Sequence, residues 1–511
     1  MIRPLVGFGA LAAAAGLAQP AHAGGIFLPG YGPQGQARAG AFLVKASDTS
    51  AMAYNPAGLA GTRGTMAQLG SNFVRMSLSF QRAGEYQATG EETEPDYVGQ
   101  PFPEVSDQSS PALGFAGFQA VPVIGVASDL GSPDSGLVVA AGVITPHGYP
   151  EREFTPDYEF EADGVAPPPQ RYDVMRQNAV KVGPSVAAAY RVNEDLDVGA
   201  RFTWGVAHIE ATSYLWGLRN YEEHVARDGY FDVQATDYFV PNFGLGLRYR
   251  PTSFLEVGAS YASAAKANAR GEGVAVLGSE LGFGGQQDYI APELDDPNCA
   301  PGGRVDALKT CVGFKLPQQA GGGARLIWRD GERERADLEM NVFWENWSSG
   351  TASDYELIVD GKSGLSDLPL LEQRLRHNFR DVWSFRLGGS YAFALADREL
   401  VASAGAAYDT AAAPNDYTRL DVDGAARTTL GAGLAYLTPR MRVDLGAGAV
   451  LQPDRTVETC ETSAAQPTCD GEHPDPIQPL RHRNNQWQNP FNGGDYSSGY
   501  ALFSLGLTTW F

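Results

Sequence analysis

Alternating hydrophobic and polar positions recur in a series of segments along most of this chain. In the first segment, Val74, Met76, Leu78 and Phe80 share one face of an extended strand, and polar side chains occupy the other face. This two-residue period predicts fourteen β-strands. The predicted strands are residues 65–80, 111–126, 136–146, 179–191, 196–214, 239–250, 254–265, 313–328, 333–347, 381–395, 398–408, 427–437, 440–451 and 499–511.

The connections between these strands alternate between short and long. Tight turns such as residues 193–195, 251–253 and 329–331 alternate with long polar stretches. A bacterial outer-membrane barrel has an even number of antiparallel strands, short periplasmic turns and longer external loops. The sequence therefore predicts an all-β fold, a 14-stranded antiparallel transmembrane β-barrel with both termini in the periplasm.

The first residues have the pattern of an export signal. Arg3 precedes a short apolar stretch, and Ala-His-Ala at 21–23 matches a small-x-small cleavage site. We expect residues 1–23 to be a signal peptide. No later apolar run reaches the length of a membrane helix, which leaves a soluble periplasmic protein or a barrel. The uniform strand series, without a linker, favours one closed sheet.

The last predicted strand carries a further signal. Phe503, Leu505, Leu507 and Phe511 lie on one face of it, and the final residue is aromatic. A terminal aromatic residue on an amphipathic strand resembles the signature that the outer-membrane barrel assembly machinery reads. We therefore expect this machinery to be a partner during biogenesis.

The charge of the chain limits its partners. A net charge of −22 argues against nucleic acid, because nucleic-acid binding requires a basic surface. Much of the acidic charge falls in the predicted long loops, where a solvated surface is the simple interpretation. Alternatively, divalent cations bridge these loops to lipopolysaccharide phosphates, although no run matches a calcium-loop spacing. The acidic residues concerned are Glu91, Glu92, Glu94, Asp96, Glu293, Asp295, Asp296, Glu458, Glu461, Asp470, Glu472 and Asp475.

The four cysteines fall in pairs within two predicted loops. Cys299 lies near Cys311, and Cys460 lies near Cys469. Since an exported chain meets an oxidising compartment, we expect two local disulfides. Neither pair has the spacing of a metal site, and no motif for a cofactor is present.

The stretch before the first strand differs from the rest of the chain. Residues 24–64 are rich in glycine and alanine and nearly uncharged. A disordered tail would be more polar, and a water-filled porin needs no such segment. We expect this segment to be a plug inside the barrel.

Within this segment the sequence is similar to a known family. Asn55-Pro56-Ala57, preceded by Asp48 and Thr49, resembles the N-terminal hatch of the FadL/TodX family, which transports long-chain fatty acids and aromatic hydrocarbons. Further segments resemble this family at 142–148, 247–251, 257–263, 315–317, 344–348, 381–388 and 405–409.

The resemblance implies a fold and a function. It implies a hatch over 24–64 and a fourteen-stranded barrel over 65–511, in a monomer without enzymatic activity. It further implies passive uptake of a hydrophobic small molecule, a long-chain fatty acid or alternatively a monoaromatic hydrocarbon. Release in this family is lateral, through a kink of the third strand, which corresponds here to residues 136–148.

Three groups of residues are candidates for this function. Ile26, Phe27 and Leu28 are expected at the inner pocket and gate, and Asn55, Pro56 and Ala57 form the hatch motif. Leu215, Trp216, Tyr238 and Phe239 are expected to border an external capture groove, with interfacial anchoring as the alternative.

Three other functions are alternatives to transport. An outer-membrane lipase would use a Ser/His pair, but no Gly-x-Ser-x-Gly motif surrounds His208, His224 or His377. A polar porin and an adhesin anchored by its barrel also remain compatible with the strand pattern.

Overall fold

The computed structural model describes most of the chain after the predicted signal peptide. The described residues are 28, 30–88, 93–111, 113–145, 151–215, 224–278, 304–349, 354–363, 366–395, 398–457, 462–463, 466–467 and 492–511. The predicted signal peptide and the candidates Ile26, Phe27 and Trp216 lie outside them.

Fourteen antiparallel strands close into a barrel, as the sequence predicts. Their bounds are β1 Thr65–Arg82, β2 Phe118–Ser128, β3 Leu137–Ile144, β4 Arg176–Arg191, β5 Leu196–Leu215, β6 Gly229–Thr252, β7 Leu255–Ala262 with Ala265–Leu277, β8 Arg304–Leu316 with Gln319–Asp330, β9 Arg333–Glu345, β10 Val382–Leu395, β11 Arg398–Asp409, β12 Arg427–Thr438, β13 Met441–Leu451 and β14 Gly494–Trp510. Each strand pairs with the next, and β14 pairs with β1 from Gly494–Arg82 to Trp510–Met66, which closes the wall.

The short and long connections fall at opposite ends of the barrel. Both ends of the described wall, Thr65 and Trp510, lie at the end with short turns, which we call the turn end; the other is the loop end.

Several strands differ from their predicted bounds. β6, β7 and β8 extend beyond the predicted segments toward the loop end, where both the backbone pairing and the alternation of buried side chains continue, as at Phe231, Val233 and Ala235 of β6. The second predicted strand begins too early, since residues 114–115 turn back on β2.

Small strands and single helical turns occur in the connections. The strands are Glu104–Ser106, Gly114–Phe115, Arg152–Glu153, Asp354–Ser363, Ser366–Arg376, Arg455–Val457, Thr462–Ser463 and Gln466–Pro467, and the 3-10 turns are Pro133–Ser135, Val225–Arg227 and Asn415–Tyr417. The hairpin 354–376 extends the sheet from β8 and was predicted as loop.

No helix within the described ranges is long and apolar enough to cross a membrane.

The two faces of the wall differ in chemistry. Large apolar side chains such as Phe202, Trp204 and Phe243 are exposed on the outer face. The inner face carries mainly small and polar side chains, with apolar ones such as Val74 packed against the hatch, because the alternation of a strand places successive residues on opposite faces. The inner face is covered by the N-terminal segment.

The N-terminal segment, which we call the hatch, spans the described residues from Leu28 to Gly64. It contains two short helices, α1 Pro33–Ala37 and α2 Ala51–Tyr54, followed by the 3-10 helix Pro56–Gly61. Its residues contact β1, β2, β5, β6 and β9–β12, and most of them are buried. Contacts around the inner circumference place the hatch in the lumen.

Backbone pairing in one half of the wall is interrupted along a line of neighbouring residues. Pairing of β2 with β3 ends at Ile124–Val143, and β4 to β8 each break or shift at the level of these residues. Four prolines mark this line: Pro122, Pro184, Pro241 and Pro317. Proline has no N–H to donate to a ladder, so these residues locate the interruptions.

Candidate functional site

Charged residues dock the hatch to β9. Arg38 forms ion pairs with Asp337 (2.9 Å) and Glu339 (3.3 Å), and Lys45 pairs with Asp337 (3.1 Å). Burial, and then the positive charge of Arg325, lower the pKa of Lys45 from its ordinary value. A buried charge is costly unless it is paired, so the hatch cations must meet the carboxylates of β9. This requirement favours one orientation of the hatch.

The Asn-Pro-Ala motif lies on β5 and β6. The Asn55 side chain donates to the Leu247 carbonyl (3.0 Å) and accepts from the Ala57 backbone N–H (3.1 Å). The second bond caps the 3-10 helix that begins at Pro56. Gly246 on the wall leaves the space that the Asn55 amide occupies. The structure thus places this motif in a rigid turn of the hatch, pressed against the wall.

The hatch also covers the junction of β2 and β3. Gly125 and Gly142 are cross-strand partners, and each lies beneath a hatch side chain. A Cβ atom at Gly125 would lie 2.7 Å from Thr49 Oγ1, and one at Gly142 would lie 2.7 Å from Met52 Cε. Close packing of the hatch on this pair therefore requires glycine in both strands.

Tyr31 spans the end of the same ladder. Its hydroxyl lies 3.1 Å from the Pro122 carbonyl on β2 and 3.1 Å from the Val143 carbonyl on β3. The flanking residues Gly30 and Gly32 have φ angles of 94° and 80°, a region that favours glycine. Sequence reasoning missed Tyr31, although its position between two glycines was a signal of a special turn.

A cavity of about 190 Å³ lies in the wall beyond this ladder end. It is bounded by β2 on one side, around Val121 and Pro122, and by residues 178–182 of β4 on the other. Apolar side chains predominate, and the polar lining includes Gln119, Glu151 and Lys181. Of residues 136–148, which the sequence predicts for lateral release, Thr145 lines this cavity.

A second, smaller cavity lies on the inner side of the wall. Lys181 lines both cavities, and Arg201, Asn242 and Ser263 line the inner one together with Ala53 of the hatch. Arg201 donates to the Met52 carbonyl (2.9 Å) and to the Asn242 side chain. In the part of the chain that the structure describes, neither Lys181 nor Arg201 has a carboxylate within ion-pair distance. Sequence reasoning missed both, although a charged residue at an inward position of a strand was the available signal.

The remaining candidate residues lie in different parts of the structure. Leu28 is buried in the core between hatch and wall. Tyr238 and Phe239 form a bulge on the outer face, where Trp204 donates to the Tyr238 carbonyl (2.7 Å) and packs against the Phe239 ring. They are therefore exposed on the wall and do not line the lumen. Leu215 is the last residue of β5, and the structure describes its backbone only.

The predicted disulfides cannot be traced in the described residues. The Cys311 backbone pairs with Arg270 and Ile358 in the sheet. The described part of the chain does not include the Cys311 side chain. It also does not include Cys299, Cys460 or Cys469. The two disulfides remain predictions.

At the loop end, buried charges connect the long loops. The His377 ring contacts the Asp421 carboxylate at 2.8 Å, and Arg419 pairs with Asp173 at 2.8 Å. These residues come from three different connections, so the network ties the loops above the lumen together.

Comparison with known proteins agrees with this architecture. The family model described as "Outer membrane protein transport protein (OMPP1/FadL/TodX)" matches residues 14–474, more than half of the chain. No match was found among curated proteins. A Pseudomonas aeruginosa FadL homologue has a similar structure, with 16% identity, a TM-score of 0.65, and 96% of this chain and 100% of that chain covered. The Ralstonia pickettii toluene transporter TbuX has 15% identity and a TM-score of 0.59, covering 95% and 99%. The P. putida toluene transporter TodX has 13% identity and a TM-score of 0.58, with the same coverage.

Proposed function

The chain belongs to the OMPP1/FadL/TodX family of outer membrane transport proteins, and we propose that its cargo is a long-chain fatty acid. Members of this family are bacterial outer-membrane barrels that transport hydrophobic molecules and are not enzymes. The proposal concerns which hydrophobic molecule is carried, how it is held and by which route it leaves.

The observation that carries the proposal is the pair Lys181 and Arg201. Both side chains are buried inside the wall, with 9% and 6% exposed. Neither has a carboxylate partner among the described residues, whereas Arg38, Arg325 and Lys45 all do. A buried charge without a partner is costly, so such a pair supports binding of an anionic ligand group.

A fatty acid matches both parts of this environment. Its carboxylate can accept hydrogen bonds from Lys181 and Arg201, and its chain gains about 0.8 kcal/mol for each CH₂ group buried in apolar surroundings. A monoaromatic hydrocarbon would gain only the second contribution. The hydrocarbon alternative is supported by the two similar structures that are described as toluene transporters.

The proposed route runs from the loop end to the wall cavity. Both termini would lie in the periplasm, and the long loops would capture the ligand from the outer leaflet with its lipopolysaccharide. The residues at the start of the hatch, Ile26, Phe27 and Leu28, would sense its arrival. Lys181 lines both the inner cavity and the wall cavity, which supports transfer of the carboxylate from one to the other. We propose that the protein works as a monomer.

Uptake by cells expressing Lys181→Met tests the cargo. The variant removes the charge at similar length and breaks no hydrogen bond or ion pair of the described residues. Loss of one charged hydrogen bond of about 1.5–3 kcal/mol should raise the half-saturating oleate concentration by roughly ten- to hundredfold.

Two comparisons make the test specific. Oleyl alcohol has the same chain without the carboxylate, and its uptake should be unchanged in Lys181→Met. Lys266→Met, at an exposed residue of β7, should leave oleate uptake as in the wild type.

Equal uptake of oleate by wild type and Lys181→Met would refute the carboxylate subsite. Saturable toluene uptake without oleate uptake would favour the hydrocarbon alternative, and swelling of liposomes in small sugars would favour a polar porin. Absence of any uptake would favour an adhesin.

A further inference from the structure

Tyr31 occupies an unusual position between the hatch and three wall strands. Its neighbours Gly30 and Gly32 are both held by Asn72 of β1: Asn72 accepts from the Gly32 N–H (2.8 Å) and donates to the Gly30 carbonyl (3.2 Å). The Tyr31 ring is therefore fixed at its base to β1, while its hydroxyl reaches across to β2 and β3.

The hydroxyl contacts both strands where their pairing ends. The last cross-strand pair is Ile124–Val143, and Pro122 follows on β2 without an N–H to continue the ladder. The carbonyls of Pro122 and Val143 both lie 3.1 Å from the Tyr31 oxygen. The only other side chain near the first carbonyl in the described residues is Thr145, at 3.5 Å. Tyr31 thus supplies the shorter of two side-chain links where the backbone ladder stops, since Thr145 follows β3 and reaches the same β2 carbonyl.

We propose that Tyr31 is a positioning residue that couples the hatch to the wall, holding β2 and β3 together until the hatch moves. The inference rests on the proposed function in one respect, namely that the ligand leaves through the wall cavity beside this ladder end. Displacement of the hatch withdraws the hydroxyl from both carbonyls at once. Among the described side chains, only the longer Thr145 contact then joins the ends of β2 and β3, so they can separate and widen the cavity bounded by Val121 and Pro122.

The chemistry of the hydroxyl suits this role. Tyr31 is 2% exposed, and this burial raises its pKa above the ordinary value, so the proton stays on the oxygen. A hydroxyl has one proton to donate, which the two carbonyls must share. Such a shared bond holds the strands in place yet is weak enough to be broken by movement of a short segment.

The chain offers a matched control for removing this hydroxyl. Tyr54 is also buried in the hatch, but its hydroxyl makes no hydrogen bond to the described wall. Tyr31→Phe and Tyr54→Phe therefore delete the same atom from the same segment. Only the first deletion removes a link between β2 and β3.

Amide hydrogen exchange of the purified full chain in lipid nanodiscs tests the coupling without any ligand. In Tyr31→Phe, peptides covering residues 119–126 and 139–145 should exchange about two- to tenfold faster, as expected for one lost hydrogen bond. Residues 33–60 of the hatch and the distant strands β12 and β13 should be unchanged. Tyr54→Phe should match the wild type throughout.

Two exchange results would overturn the proposal. One is unchanged exchange at the ladder end in Tyr31→Phe. The other is equal acceleration across the whole hatch, which would indicate that the hydroxyl only stabilises folding.

Transport gives a separate readout. The maximal rate of oleate uptake should rise in Tyr31→Phe at an unchanged half-saturating concentration, and a lower rate would contradict the coupling. If the wild type carries no oleate, the proposed cargo fails, whereas the exchange test of Tyr31 stands.

Discussion

Arg38 of the hatch and Asp337 of β9 form an ion pair of 2.9 Å in which both side chains are almost completely buried. The residues lie 299 positions apart in sequence, and Glu339 completes the site by pairing with the same guanidinium. Arg38 also donates to the Ala41 carbonyl (2.8 Å), within the hatch itself. One side chain therefore both shapes the hatch and fixes it to the wall.

Replacing Arg38 by methionine should release the hatch. In this variant Asp337 keeps Lys45 and Arg325, but Glu339 loses its ion-pair partner among the described residues, and an unpaired buried charge typically costs about 3–5 kcal/mol. We expect the free energy of unfolding in guanidinium to fall by this order and the hatch to become sensitive to protease. Arg63→Met, at an exposed residue after the 3-10 helix, is the control and should change neither quantity. A hatch that stays protected in Arg38→Met would show that apolar packing alone holds it.

Gly246 is expected to tolerate no side chain. A Cβ atom there would overlap the Asn55 amide oxygen and lie 2.8 Å from Pro56 Cδ, so Gly246→Ala should push the hatch motif away from β6. The barrel should still assemble, because the β5–β6 and β6–β7 ladders do not need this space. Liposomes containing the variant should therefore swell faster in small sugars than those with the wild type.

Gly322→Ala is the matched control for this experiment. It also lies in the wall, yet a Cβ atom there would meet nothing nearer than the Gly258 carbonyl, at 3.8 Å. Equal swelling rates for Gly246→Ala and Gly322→Ala would mean that the Asn-Pro-Ala turn does not seal the lumen.

The loop network should respond to acid. Burial raises the pKa of Asp421, but the His377 ring and Arg419 outweigh burial and hold this pKa below its ordinary value. Since the carboxyl has a lower pKa folded than unfolded, it stabilises the loops above about pH 4 and loses this effect as pH falls further. His377→Leu removes the main partner, so the pKa of Asp421 should rise.

Thermal unfolding across pH measures this effect. In the wild type the unfolding midpoint should fall as pH drops below about 4, whereas in His377→Leu the midpoint should already be lower at neutral pH and should fall less in acid. Burial raises the pKa of Asp173, and His377 acts to lower it, so the comparison reports on Asp173 and Asp421 together. Parallel pH profiles for the two proteins would exclude a role for the His377–Asp421 contact.

The sequence by itself determined the barrel, because a period of two residues is a local property that each strand carries independently. Val74, Met76 and Leu78 share one face of β1 without reference to any other strand, although only the packing of Val74 and Met76 against the hatch identifies it as the inner face. The hatch was likewise visible as an uncharged segment that water would not favour. The strand bounds were less predictable: Phe231, Val233 and Ala235 continue the alternation of β6 into the predicted loop, and pairing with β7 shows that they belong to the wall.

The tertiary structure decided which residues meet. Periodicity indicates which side chains of a strand share a face, but not where they lie along the barrel axis. That position depends on the register of every strand around the closed barrel. Lys181 and Arg201 therefore share a cavity only because β4 and β5 pair in one register. Tyr31 reaches Pro122 and Val143 only because the hatch is folded inside the closed wall, where its buried polar atoms must find partners on the wall.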